Sequence, residues 1–282
     1  MYYRRQERSE GSLRQVTKAF LEFGVMMKRI VIVGGVAGGM SAAARLRRLD
    51  AQSEIVVLEK SGYVSYANCG LPYFVGGVIS NEEALLLQTP ESLYKRFRLD
   101  VRVGAEVIAI DRVAKKVTFI HNGVSDVLGY DKLILSPGAA PIRPNIPGIE
   151  RAMSLRTIED VETMANSVFK APKSAAVIGG GFIGIELAEN LRHKGINTSV
   201  IEAQDQLLAP LDPEMATFVE AELRKNGVNL YLGDSLVAIN DQTVTLASGA
   251  EVDAEILIMS IGVRYPIHSY TVLSKSLIDP EL

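Results

Sequence analysis

The parts of this 282-residue chain best suited to chemistry are two glycine-rich turns, a glutamate set beyond each, and a single cysteine. The clearer turn runs Gly179, Gly180, Gly181, Phe182, Ile183, Gly184, and Glu202 stands 18 residues past its last glycine. Gly179 permits a tight turn, Gly181 lets the backbone approach a pyrophosphate, and Gly184 lets a helix pack closely on a strand. A helix opening at such a turn offers free N–H groups and the positive end of its dipole to phosphate. A carboxylate placed like Glu202 accepts from an adenosine ribose 2′-hydroxyl. Ala203 and Gln204 follow it, with no adjacent arginine to receive a 2′-phosphate, so NADH is expected over NADPH.

The earlier turn is a variant: Gly34, Gly35, Val36, Ala37, Gly38, Gly39, with Val36 in the third motif position. Its backbone amides remain, so Val36 bears only on how closely the turn approaches phosphate. Glu59 closes the strand EIVVLE 20 residues past Gly39. Two such turns in tandem point to two nucleotides, one of them a flavin able to take hydride from the other. Cys69 sits in VSYANCGLPYFVGG, with turn residues on both sides. A lone cysteine is either a small buried apolar side chain or a thiol placed for exchange, and the residues alone leave both open.

The elements that must carry these groups alternate strand and helix. Arg29–Val33 (RIVIV) and Glu54–Leu58 (EIVVL) are β-branched runs typical of a parallel sheet, and a helix over Met40–Leu49 lies between them. Further strands are expected at Val101–Val103, Glu106–Ile110, Lys116–Ile120 and Lys132–Leu135. The proline-rich stretch Pro137–Glu150 reads as a linker. Beyond it the pattern restarts: strand Ala175–Ile178, helix Phe182–Lys194, strand Thr198–Glu202, helix Pro213–Asn226, then strands Asn229–Leu232, Thr243–Leu246 and Glu255–Ser260. The fold class is α/β, with two Rossmann-like units in tandem.

Composition narrows the function classes. Thirty Lys+Arg against 33 Asp+Glu leave a net charge of −3, which gives nucleic-acid binding no electrostatic footing. No apolar run approaches the ~20 residues of a membrane span. One cysteine excludes an intrachain disulfide and favours a reducing, cytoplasmic setting. No metal-ligand pattern is evident. Residues 1–27 lack a signal peptide's apolar core and cleavage site and read as a poorly ordered extension.

The segments VGGVAGGMSAAARLRRLD, SYANCGLPYF, LLLQTPESL, YDKLILSPGAAP, VIGGGFIGIELAENLRHKG and LDPEM carry a resemblance. Together they resemble the single-cysteine branch of the FAD-dependent pyridine nucleotide–disulfide oxidoreductases, of the coenzyme A disulfide reductase and NADH oxidase type. The resemblance implies FAD on the first unit, through Gly34, Val36, Ala37, Gly38 and Gly39, with Glu59 and Lys60 at the ribose and Val107 at the adenine. The Ser136-Pro137-Gly138 turn would support that cofactor. NAD(P)H would bind through Gly179, Gly181, Ile183, Gly184 and Glu202, with Gly262 in the family's second turn. Glu186 matches an acid near nicotinamide and flavin, although an ordinary helix-surface role also fits it.

Cys69 becomes the redox thiol under the same resemblance, with Val64 in the place of the family's second cysteine. Hydride would pass from NADH to FAD and on to Cys69, which would cycle through a mixed disulfide with a small-molecule substrate such as CoA disulfide. The thiolate is the competent form, and a helix N-terminus or the flavin ring would favour it. Ser41, Arg45, Arg48, Ser65 and Asn68 would handle the coenzyme, while a solvated helix face accounts equally well for the two arginines. Alternatives are an oxidase or peroxidase cycling Cys69 through its sulfenic acid, and an inactive nucleotide-binding fragment.

The expected domains are FAD-binding over 28–148 (incomplete), NAD(P)H-binding over 149–263, and a divergent tail over 264–282. The family's C-terminal dimerisation domain is expected to be absent and the chain truncated, which puts the family's homodimer in doubt here. Gly233-Asp234 imitates a family motif but reads as a loop after strand NLYL.

Overall fold

The computed structural model describes residues 27–265. The expected extension before Met27 and the tail beyond Tyr265 lie outside the described residues. Helices are α1 (Ala37–Leu49), α2 (Leu71–Val75), α3 (Pro90–Phe97), α4 (Ile158–Phe169), α5 (Phe182–His193) and α6 (Pro213–Lys225). The chain divides into two compact units, Met1–Lys60 with Pro90–Ser136, and Ser61–Thr89 with Pro137–Leu282. This division groups both Ser61–Thr89 and Pro137–Gly148 with the second unit, where the sequence pattern sets one boundary at 148/149.

The first unit is built on β1 (Arg29–Val33), β2 (Glu54–Leu58), β3 (Asp100–Arg102) and β7 (Lys132–Leu135), ordered β3-β2-β1-β7. Val31, Ile32, Ile55, Val56, Val57 and Leu58 are fully or almost fully buried, as a sheet covered on both faces requires. β1 pairs in parallel with both β2 and β7, so the strand order reverses at its carboxyl end. Ligands of open α/β sheets collect at such a reversal. β4 (Ala105–Asp111), β5 (Lys116–His121) and β6 (Val124–Gly129) form a separate antiparallel sheet.

The second unit repeats the plan. After the short β8 (Ala140–Pro141) come β9 (Ser174–Ile178), β10 (Asn197–Glu202) and β11 (Asn229–Leu232). With β15 (Ile256–Met259) they form a parallel sheet ordered β11-β10-β9-β15, reversing at the end of β9. β12 (Leu236–Ile239), β13 (Thr243–Leu246) and β14 (Glu251–Asp253) make an antiparallel sheet, and β16 (Val263–Arg264) pairs with β8. The expected linker Pro137–Glu150 is therefore partly a paired strand.

α4 starts at a capping box. Thr157 Oγ1 accepts from Asp160 N at 3.2 Å, and Asp160 Oδ2 accepts from Thr157 N at 3.0 Å. α2 packs on α4 and α5, burying Leu71 and Val75, while Leu85 is buried in the turn Glu82–Leu85 beyond it.

Candidate active site: two nucleotide cradles and an exposed thiol

In the first unit the chain leaves β1 at Gly34, whose φ of 99° lies in the left-handed region that only glycine adopts freely. Val36 caps α1 without a side-chain hydrogen bond, so the first-turn N–H groups stay available. A Cβ on Gly39 would run into the Gly34 carbonyl oxygen, which explains glycine at that helix–strand contact. A Cβ on Gly38 would stand 2.5 Å from Ser136 Oγ, so Ser136, at the end of β7, lies against the turn. Glu59 is buried and its Oε2 accepts from Gly35 N at 2.6 Å. Thus the structure brings Gly34, Val36, Ala37, Gly38, Gly39, Glu59 and Ser136 together. Lys60 is exposed and pairs with Glu106 at 3.5 Å, one residue from Val107 on β4.

The second unit reproduces this construction at closer match to the pattern. Gly179 has φ 107°, Gly181 caps α5 without a side-chain hydrogen bond, and a Cβ on Gly184 would run into the Gly179 carbonyl oxygen. Glu202 Oε2 accepts from Gly180 N at 2.6 Å, and its Oε1 accepts from Gln204 N at 2.9 Å. Each glutamate therefore ties down the second residue of its own glycine turn. Beside Gly181 the space is open, with no atom within 4 Å of an added Cβ.

A cleft of about 660 Å³ opens there, lined by Gly179, Gly181, Ile183, Glu202 and Gly262, all anticipated from sequence. Leu208, Pro210, Asp234, Met259 and Ser260 line it too, and no spacing rule pointed to them. Gly262 has φ 110°, and a Cβ there would meet Ile142 Cδ1 at 3.7 Å. Glu186, on α5, is not among the lining residues; burial first, and then the neighbouring Glu189, push its carboxyl up from the usual range.

Cys69 is exposed, in a single 3-10 turn (Asn68–Gly70) directly before α2. Asn68 beside it is exposed, and Ser65 takes a φ of 49°, a strained left-handed conformation for a residue with a Cβ. Hydrogen bonds to α4 hold the preceding loop. Glu159 Oε1 accepts from Ser61 Oγ (2.7 Å) and Gly62 N (3.0 Å), and Glu162 Oε1 accepts from the Tyr63 hydroxyl (2.9 Å). That last bond, above burial, raises the Tyr63 phenol to about 12.

Ser41, Arg45 and Arg48 fall on one exposed stripe of α1, in the first unit, while Ser65, Asn68 and Cys69 belong to the second. Arg47, between the two arginines, turns inward instead and donates to the carbonyls of Phe97, Asp50, Ser53 and Arg98. Among the described residues no cluster of His, Cys, Asp and Glu could hold a metal ion, and no helix is long and apolar enough to cross a membrane.

The pyridine nucleotide–disulphide oxidoreductase family model matches residues 28–273. The coenzyme A disulfide reductase of Staphylococcus epidermidis is 34% identical over 239 residues, covering 84% of this chain and 54% of that enzyme. Among solved structures, reduced Bacillus anthracis CoADR-RHD is 43% identical with a TM-score of 0.84, covering 89% of this chain and 46% of the other. A NAD-dependent persulfide reductase from A. fulgidus is 35% identical with a TM-score of 0.81, covering 83% and 46%. The chain thus spans about half the length of the relatives it matches. By its glycine cradles, its tandem α/β units and this match along most of its length, the chain belongs to the pyridine nucleotide–disulphide oxidoreductase family.

Proposed function

We propose that the chain carries the catalytic core of a flavin-dependent NADH:disulfide oxidoreductase acting on CoA disulfide or a related persulfide. The observation that carries this is the duplicated cradle: two glycine turns at sheet reversals, each tied through a second-residue N–H to its own glutamate, in a chain with one exposed thiol. The residues fit nucleotides on the structure's own terms. Both helices begin uncapped, and the turn at Gly181 leaves room where a pyrophosphate would approach.

FAD is assigned to the first unit, through Gly34, Gly38, Gly39, Glu59 and Ser136, with Lys60 and Val107 toward its edges. NADH is assigned to the second, through Gly179, Gly181, Ile183, Gly184, Glu202 and Gly262. Among the described residues, the cleft offers no lysine, arginine or histidine to a 2′-phosphate, which favours NADH over NADPH. Bound FAD would supply two-electron exchange between nicotinamide and sulfur. Cys69 is the group reduced. Two electrons and a proton cleave Cys69–S–S–R into the Cys69 thiolate and R–SH. The thiolate then attacks a fresh R–S–S–R, re-forming the mixed disulfide and expelling R–S⁻, which takes up a proton. The sum is NADH + H⁺ + RSSR → NAD⁺ + 2 RSH. Ser65 and Asn68 flank the thiol and orient the incoming disulfide, Ser41, Arg45 and Arg48 meet coenzyme A phosphate charge, and Glu186 serves the nicotinamide end.

The test is a visible absorption spectrum of the purified chain, then NADH-dependent CoA disulfide reduction by wild type and Cys69→Ser. A yellow protein whose turnover is lost in Cys69→Ser is expected. Unchanged turnover in that variant would show that the thiol is not the group reduced.

A further inference from the structure

Asp234 follows β11 and shares the nucleotide cleft with Glu202; these two are the charged residues among those lining it. The neighbouring strands β10 and β11 are joined where they end. Glu202 pairs with Leu232, Asp234 N donates to Glu202 O at 3.1 Å, and Gly233 N donates to Gln204 O at 2.8 Å. The two acids therefore stand on adjoining backbone at one edge of the cleft. Neither carboxylate is loose. Asp234 Oδ1 accepts from Ser235 N (3.0 Å) and Ser248 N (3.1 Å), and Oδ2 accepts from Ser248 Oγ (2.6 Å). The Ser248 hydroxyl, foremost among these bonds, holds the Asp234 carboxyl below its usual range, so the group is charged at neutral pH.

We propose that Asp234, positioned by Ser248, is a second specificity determinant of this cleft, acting with Glu202 to accept an adenosine ribose diol and to reject a 2′-phosphate. The proposal rests on the assignment of NADH to the second unit. A ribose hydroxyl donates to a carboxylate, whereas a 2′-phosphate brings close to two further negative charges against a group that cannot swing away. Two unit charges at contact distance in water interact enough to change binding roughly fivefold, so a near-divalent phosphate facing Asp234 corresponds to about 25-fold.

The experiment is titration of the full chain with NADH and with NADPH by calorimetry, for wild type, Asp234→Asn and Ser248→Ala. Wild type is expected to prefer NADH. In Asp234→Asn the preference should fall about 25-fold, with NADPH gaining and NADH losing affinity. Ser248→Ala, which keeps the charge and the two backbone bonds to Asp234 Oδ1 but releases Oδ2, should lower the preference by a smaller factor, and it serves alone if Asp234→Asn does not fold. A preference unmoved in the folded variants overturns the proposal while leaving the cleft a nucleotide site. Failure of wild type to bind either nucleotide overturns both this proposal and the assignment of the cleft.

Discussion

Gly181 and Gly184, three residues apart at the start of α5, should answer the same substitution in opposite ways. A methyl group at Gly184 meets the Gly179 carbonyl oxygen, backbone at a sheet end that cannot yield cheaply, and also stands 2.8 Å from Ser260 Oγ. Overpacking of this kind costs about 1–3 kcal/mol. Against backbone this close the upper part of that range applies, ~2–3 kcal/mol, and the better helix propensity of alanine returns ~1 kcal/mol, which leaves Gly184→Ala less stable by about 1–2 kcal/mol. For a chain of this size that is a melting temperature lower by roughly 2–8 °C. A methyl at Gly181 meets nothing within 4 Å, and its backbone, at φ −79° and ψ −178°, suits any residue. Gly181→Ala should therefore melt close to wild type, losing only the ~0.5–1 kcal/mol by which alanine is the poorer N-cap. Its methyl fills the approach left to the pyrophosphate, and 1–3 kcal/mol of overpacking there weakens NADH about 5- to 150-fold. Thermal denaturation without nucleotide and a fluorescence titration with NADH separate the two. The reasoning is refuted if Gly181→Ala melts as low as Gly184→Ala, or if it binds NADH as wild type does.

The remaining expectations concern the supports of the thiol loop. Tyr63 ionises near 12 in the folded chain, against about 10 unfolded. Its contribution to stability is therefore complete below pH ~10 and is lost as pH rises through 12. Ultraviolet titration of Glu162→Gln should show this phenol moving back toward its ordinary value; a late-titrating tyrosine that persists in Tyr63→Phe would assign the shift elsewhere. Thr157→Ala removes half of the capping box of α4, for about 1 kcal/mol and a melting temperature ~2–4 °C lower, read by calorimetry. An unchanged melting temperature would mean that Asp160 alone suffices.

The two cradles were legible because their signals are local. Strand, glycine turn, helix and acid follow one another within about 30 residues, and each residue type has one mechanical reason to be there. Strand pairs distant in sequence were not legible. Nothing in Pro137–Glu150 announces that Ala140–Pro141 will meet Val263–Arg264, so that stretch reads as a linker. The placement of Ser61–Thr89 with the second unit depends on Glu159 and Glu162 reaching back almost 100 residues. The Thr157/Asp160 signature marks the start of helix α4, but it lies just beyond that apparent linker, where a helix start is easily masked. Gly233-Asp234 reads as a loop after β11 and forms one, but its contact with Glu202 comes from the parallel pairing of two strands, which no short window contains.

Because Ser61–Thr89 folds with the second unit, that half of the molecule is not one continuous stretch of sequence. A clone starting at Pro137 would leave bare the sides of α4 and α5 on which Leu71 and Val75 are packed. Such side chains contribute about 1.5–3 kcal/mol each when covered. Dissection of this protein therefore calls for a permuted or grafted gene that keeps the cysteine-bearing insert, since a simple cut yields a sticky remnant and not a working half.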